Sequence, residues 1–222
     1  MADNNNALIM LGVIHRDEKA PKLLFQWLKQ IMPHIVTLEF SNYGLTFRKK
    51  NGKKYKKSVR GVIKKIEDYN CKYNKEALAN LLSYADVPYE YKVASRYVKK
   101  YGGLLYLIDS DIISCSKLKY CEELFHPDNV EKLLRNGEWQ RKGSEKAVAK
   151  LFFEGGIKVT PYTEEMYARD RHMRDKISML MSSHKDSRFL HICGWQHLED
   201  PHSLYAQFNP EKVFIYDKTV CI

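Results

Sequence analysis

The chain has 222 residues, of which 44% are hydrophobic, and its formal net charge is +10 at pH 7. This length and apolar content exclude a disordered protein and are sufficient for a globular domain with a sizeable buried core. The five cysteines are odd in number and form no C-x-x-C pair, which argues against a disulfide framework and against a zinc ribbon.

The sequence contains no signal for a membrane. No segment approaches the roughly 18–20 consecutive apolar residues that a bilayer span requires. The first ten residues, MADNNNALIM, have no basic region and too short an apolar run for a signal peptide. We therefore expect a cytoplasmic protein without a membrane span.

The first forty residues predict a strand, a helix and a second strand. Residues 7–14 form an apolar run, 19–32 place apolar side chains at helical spacing, and 34–40 (HIVTLEF) are β-branched and apolar. A βαβ unit of this length implies parallel strands joined by a right-handed crossover.

The same alternation continues to the end of the chain. Helices are predicted within 60–85, 88–102 and 160–184, short helices within 112–153, and strands at 104–111, 187–194 and 211–217. We therefore predict one α/β domain over 1–222, in three layers, with a mostly parallel central sheet and helices on both faces. Residues 44–85 are a possible basic helical insertion.

A strongly basic stretch lies inside that insertion. Residues 48–65, RKKNGKKYKKSVRGVIKK, hold ten Lys or Arg and no acid. Such a run suits an acidic partner or nucleic acid, which it would bind by releasing counterions. A solvated, flexible loop is the favoured interpretation, since no recognised nucleic-acid-binding motif accompanies the charge.

Two predicted strand ends carry the same short pattern. Gly12 to His15 reads GVIH, and Gly194 to His197 reads GWQH, so each is G-x-x-H where an apolar strand ends. Ligands of open α/β sheets bind outside the carboxyl ends of the strands. Glu39 also lies at such an end, as does Asp109, so four polar side chains are expected around one crevice.

Two kinds of chemistry fit this set. Two imidazoles and a carboxylate are typical of a catalytic divalent metal with an open water position. The same groups without a metal can serve as a general base and its orienting partner. For single residues there are structural alternatives: Glu39 pairing with a lysine, and Asp109 capping the next helix.

The order of these motifs resembles the TraB/PrgY/Tiki superfamily, which also includes erythromycin-esterase-like and ChaN-like proteins. LGVIH is similar to its first motif, MPHIVTLEF to its strand-two segment, and HICGWQH to its closing motif. VPYEYKVASRYVKKYGGLLYLID is similar to a family segment in which a glutamate, here Glu90, opens a helix before a strand that ends in an aspartate, here Asp109. YARDRHMRDKI is similar to a family helix whose arginine is here Arg169; the glutamate usually before it is replaced by Ala168, and the asparagine after it by Asp170.

The resemblance implies a hydrolase, foremost a divalent-metal-dependent peptidase or amidase acting on a peptide or a small ester or amide. The expected catalytic residues are His15, Glu39, Arg169 and His197, and the expected ligands of Mn, Co or Zn are His15, His197, Glu39 and Glu90. Asp109, Gly12, Gly194 and Tyr43, four residues after Glu39, are the expected substrate contacts. Arg169 either stabilises an oxyanion or the substrate carboxylate, or ties its helix to the sheet as part of a buried Arg–Glu pair.

Two other functions stay open at this point. ChaN-like relatives bind haem, so a non-enzymatic haem- or metal-binding protein is one alternative. A nucleic-acid-associated basic protein, acting through 48–65, is the other.

Overall fold

The computed structural model describes residues 8–136, 149, 152–153 and 161–217. These residues form two compact units. The sheet unit contains residues 8–41 and 88–110 and the described residues from 149 onward. The helical unit contains residues 42–87 and 111–136, and so includes all of 44–85 together with a later segment.

The sheet unit is built on five strands, in the order β3-β2-β4-β1-β5, and every pair is parallel. The strands are β1 (Leu8–Val13), β2 (Ile35–Leu38), β3 (Leu104–Leu107), β4 (Phe189–Gly194) and β5 (Glu211–Phe214). Its α-helices are α1 (Ala20–Ile31), α4 (Tyr89–Tyr101) and α8 (Glu164–Ser183). The predicted three-layer α/β fold with helices on both sheet faces is confirmed.

Alternation along β1 explains the three layers. Ile9 and Leu11 pack on one sheet face with buried residues of α1 and α4, whereas Leu8 and Met10 pack on the other face with α8. Both faces are apolar because both are covered, which is why the strands read as continuous hydrophobic runs.

The long helix α8 begins where the sequence predicts. The Thr163 hydroxyl accepts a hydrogen bond from the Met166 amide at 3.2 Å, and Glu164 and Glu165 occupy the first turn. A hydroxyl cap and early acids satisfy and complement the positive end of a helix.

The helical unit has its own core. Its helices are α2 (Asn42–Asp68), α3 (Lys75–Ala85), α5 (Asp111–Leu118), α6 (Cys121–Leu124) and α7 (Pro127–Asn136). Val59 and Ile66 of α2 are fully buried among residues of the other helices. The basic stretch 48–65 lies entirely within α2, so the loop interpretation is wrong.

A glycine on the buried face of α2 explains why a loop was expected over residues 48–65. Gly52 is buried, and a Cβ on it would lie 2.4 Å from the Ala85 carbonyl oxygen, so α2 and α3 approach closely there. The inward face of α2 therefore uses glycine where an apolar residue usually marks a helix.

In the described part of the chain, no helix is long and apolar enough to cross a membrane.

Candidate active site

The carboxyl ends of the parallel strands bring the predicted polar residues to one edge of the sheet. His15 follows β1, Glu39 follows β2, Asp109 follows β3 and His197 lies in the 3₁₀ turn Trp195–Leu198 after β4. Because all strands run in one direction, these four positions share the sheet edge where α/β proteins place their ligands.

His15 is held by Glu90, which lies in the first turn of α4. Its Nδ1 lies 2.7 Å from Glu90 Oε1, a short, charge-assisted hydrogen bond in which the ring donates to the carboxylate. That bond puts the proton on Nδ1 and the lone pair on Nε2. The His15 side chain is 47% exposed and the Glu90 side chain 9%. A reachable imidazole is therefore oriented by a buried acid.

Glu39 is the centre of the cluster. Its Oε1 accepts hydrogen bonds from Arg169 Nη2 at 2.6 Å and from His197 Nε2 at 3.0 Å, and its Oε2 accepts one from the Gly194 amide at 2.5 Å. Burial opposes ionisation of Glu39, but the nearby charges of His197, Arg169 and His15 lower its pKa well below its ordinary value. Glu39 is therefore a carboxylate, and its Oε2 lies 3.9 Å from His15 Nε2.

His197 is clamped between two carboxylates. Its Nδ1 donates to Asp170 Oδ1 at 2.7 Å, while Nε2 faces Glu39. Burial favours the neutral ring, yet Glu39 and Asp170 outweigh it and raise the pKa of His197 to about 10. His197 is thus a buried imidazolium, unlike the half-exposed His15.

Asp170 has two further partners. The Tyr205 hydroxyl donates to its Oδ1 at 3.0 Å, and the Tyr162 hydroxyl donates to its Oδ2. From the sequence, Asp170 was expected only as the residue that replaces the family's asparagine, and its place in the site was not predicted. The two tyrosines carried no sequence signal: Tyr162 lies just before α8, and Tyr205 reaches Asp170 only because the segment after β4 packs against α8.

Arg169 bridges two strand ends. Its Nη2 donates to Glu39, and its Nε and Nη2 donate to the two oxygens of Asp109 at 3.1 and 2.7 Å. This forked contact ties α8 to the ends of β2 and β3 and neutralises buried acids. Asp109 therefore pairs with Arg169. The oxyanion role of Arg169 stays a prediction.

The two glycines of the G-x-x-H patterns make room at the site. A Cβ on Gly194 would lie 2.8 Å from His15 Nε2 and 3.4 Å from Glu39 Oε2. A Cβ on Gly12 would lie 2.6 Å from a methyl carbon of Leu198 and 3.0 Å from the Trp195 Cα. Gly12 therefore lets the 3₁₀ turn Trp195–Leu198 pack closely against β1, and Gly194 leaves room for the His15 ring.

A small pocket opens beside His15. Its volume is about 40 Å³, enough for a few water molecules. Glu39 and Glu90 line it together with His15, and the remaining wall is mainly apolar: Val13, Leu38, Phe40, Pro88, Tyr91 and Ile192.

The predicted metal ligands do not form a metal site as they are arranged. Within the described residues, no three His, Cys, Asp or Glu side chains are placed to hold an ion. His197 donates from both nitrogens and carries a positive charge, so it offers no lone pair to a metal. Glu39 already neutralises Arg169. The metal and haem expectations stay predictions.

Tyr43 belongs to the helical unit. It lies in the first turn of α2, and its ring stacks on Phe47 with centroids 6.1 Å apart. Its assignment as a substrate contact stays a prediction.

Fold and cluster together define an α/β protein with a histidine–carboxylate site at the carboxyl edge of a parallel sheet. Comparison of the chain with protein-family models, with curated proteins and with solved structures gives no significant match. The resemblance to the TraB/PrgY/Tiki superfamily therefore rests on the motifs alone and stays a prediction.

Proposed function

We propose that this protein is a hydrolase in which His15 acts as the general base and activates a water molecule. The observation that carries the proposal is the His15–Glu90 pair: a half-exposed imidazole whose Nδ1 is fixed by a buried acid at 2.7 Å. A base must be reachable and must have its lone pair directed by a partner, and this pair meets both conditions.

In the proposed reaction, a water in the pocket gives a proton to His15 Nε2 as its oxygen attacks a carbonyl carbon. The protonated ring, held by Glu90, then gives that proton to the leaving alcohol or amine. Glu39 lies 3.9 Å from Nε2, a separation at which both groups can hydrogen-bond to one water.

The charge of the cluster indicates the class of substrate. The cluster holds four acids, Glu39, Glu90, Asp109 and Asp170, and two cations, Arg169 and the protonated His197, so acids outnumber cations. An excess of negative charge repels phosphate esters and other anions. A neutral carboxylic ester or amide is the substrate that this site favours.

The nucleophile is water rather than a thiol. Cys193 is buried, and its burial, reinforced by Glu39 and Asp170, raises the pKa of the thiol well above its ordinary value. A thiol that stays protonated is a poor nucleophile.

The test is hydrolysis of short p-nitrophenyl esters and of peptide amides, measured with a chelator and separately with added Mn, Co or Zn. His126→Ala is the control, because His126 is an exposed histidine of the helical unit. We expect hydrolysis that survives the chelator, falls at least about a hundredfold in His15→Ala and is unchanged in His126→Ala. Equal loss in both variants, or none in either, would overturn the proposal; activity only with added metal would favour the metal-dependent alternative.

A further inference from the structure

The outer face of α2 carries a row of five cations. Lys50, Lys53, Lys57, Arg60 and Lys64 are all exposed and follow the spacing i, i+3, i+7, i+10, i+14. Residues three and four apart lie on one face of a helix, and 14 residues advance about 21 Å along its axis. We call these five residues the cation row.

The cation row is not neutralised by the protein. Within the part of the chain that the structure describes, none of its five side chains makes an ion pair or a hydrogen bond. Neighbouring lysines of α2 do form ion pairs: Lys54 with Glu122 at 2.9 Å and Lys65 with Glu131 at 2.9 Å. Like charges three and four residues apart destabilise a helix. The row therefore weakens its own helix and gains nothing from internal partners.

One end of the cation row opens into an aromatic cleft. Lys50 lines a cleft of about 500 Å³, and Tyr43, Phe47 and Tyr55 form part of its wall. The Tyr43 and Phe47 rings are stacked, 26° apart, and both are half-buried. The remaining lining residues are Thr46, Asn51, Leu118, Lys119 and Glu122.

We propose that the cation row and this cleft bind single-stranded nucleic acid, with phosphates along the row and a base in the cleft. Successive cations advance about 5 Å along α2, more than the roughly 3.4 Å that each phosphate advances along one strand of a duplex, as a more extended single strand requires. Stacking surfaces joined to a basic track are the usual means of holding a single strand without sequence preference. This inference is independent of the proposed hydrolase.

The structure disfavours two other polyanions. A membrane surface is held by basic residues flanked by exposed apolar anchors, and no large hydrophobic side chain within α2 is exposed. A duplex keeps its bases stacked inside, so it would leave the aromatic cleft without an occupant.

The experiment measures binding of fluorescein-labelled oligouridylate and oligothymidylate of about 12 nucleotides, within the site sizes of single-strand binding folds. The row variant replaces all five cations by Gln. Its matched control replaces Lys22, Lys29, Lys92, Lys99 and Lys185 by Gln; these are exposed lysines of the sheet unit, so both variants have the same net charge. Circular dichroism checks that both are folded.

We expect wild type and control to bind with a slope of log affinity on log salt near −3.5, about 0.7 for each of five phosphates. The row variant is expected to bind at least about a hundredfold more weakly, with a slope near zero. Equal loss in row and control variants would overturn the proposal, because it would mean unspecific attraction to a basic protein.

A second arm tests the cleft. Phe47→Leu is expected to weaken oligonucleotide binding about tenfold while leaving inorganic polyphosphate binding unchanged, and Tyr69→Leu, at an exposed tyrosine after α2, serves as the control. Polyphosphate, a duplex or phosphatidylserine vesicles binding as tightly as the single strand at equal phosphate concentration would contradict the proposal.

Discussion

His15 Nδ1 lies 2.7 Å from Glu90 Oε1, so a residue after the first strand is held by one in the first turn of a helix 75 residues further on. His15 is half-exposed and Glu90 is buried. The two residues therefore have the different environments expected of a general base and its orienting partner. His15 is accessible to solvent, and Glu90 fixes the proton and the orientation of the His15 ring.

Glu90 is a positioning residue in this account. Glu90→Gln keeps an acceptor but loses the charge that stabilises protonated His15, and Glu90→Ala loses both. We expect kcat to fall at least about tenfold in the first variant and further in the second, with KM little changed. Steady-state kinetics on the best ester measures this; a rise in KM with kcat intact would instead assign Glu90 to substrate binding.

Gly194 is required for the position of the His15 ring. Gly194→Ala puts a methyl group 2.8 Å from His15 Nε2, so the ring must move, and we expect activity to fall at least about tenfold. Gly61→Ala is the control: the added Cβ meets nothing within 4 Å, in the interior of α2. There we expect about 1 kcal/mol of added stability and unchanged activity. If Gly194→Ala left activity intact, the contact with His15 would have no consequence.

Protonation of His197 makes the folding stability of the protein depend on pH in the alkaline range. Its pKa is about 10 when folded, against 6.5 for an ordinary histidine, so its contribution is fully present below pH 6.5 and lost as the pH rises through about 10. For Glu39 the direction is opposite: its contribution is present above about pH 4.5 and is lost at lower pH as the carboxyl group takes up a proton.

His197→Gln tests this linkage. We expect a loss of about 3–5 kcal/mol of unfolding free energy near pH 6, because the buried carboxylates of Asp170 and Glu39 each lose the cation at His197, and only Glu39 keeps Arg169. The difference from wild type should shrink toward pH 10, and urea unfolding at both pH values measures it. A difference that stays constant with pH would show that His197 is not an imidazolium.

Arg169 contributes through the carboxylates it bridges. Arg169→Met leaves Glu39 and Asp109 buried with one cation fewer, and we expect about 3–5 kcal/mol of destabilisation. The triple variant with Glu39→Gln and Asp109→Asn should recover part of that loss, because neutral groups no longer need the guanidinium. Thermal unfolding of both variants and wild type decides this; no recovery in the triple variant would mean that packing, and not charge, is what Arg169 supplies.

The sequence allowed the sheet and most of the site to be predicted, because both depend on local patterns. Apolar runs marked the strands, and parallel strands bring their carboxyl ends together, so His15, Glu39 and His197 could be expected at one edge. Glu90 and Arg169 were expected only through the family resemblance, since neither lies at a strand end.

The charge relationships could not be predicted. Whether His197 binds a metal or bridges two acids depends on Asp170, and an aspartate within a charged helix looks like surface from sequence alone. Its burial follows from how α8 packs on the sheet, which no local pattern records. Within the predicted helical insertion 44–85, no individual helix was predicted before residue 60, because the buried positions in the first half of α2 include Gly44 and Gly52.

The most direct test of the account is chemical rescue of His15→Gly by free imidazole. If His15 supplies the base, ester hydrolysis by the chelator-treated variant should be low and should rise with imidazole well above the acceleration that imidazole gives to His126→Gly. A His15→Gly protein that hydrolyses the ester as fast as wild type without imidazole would contradict the account.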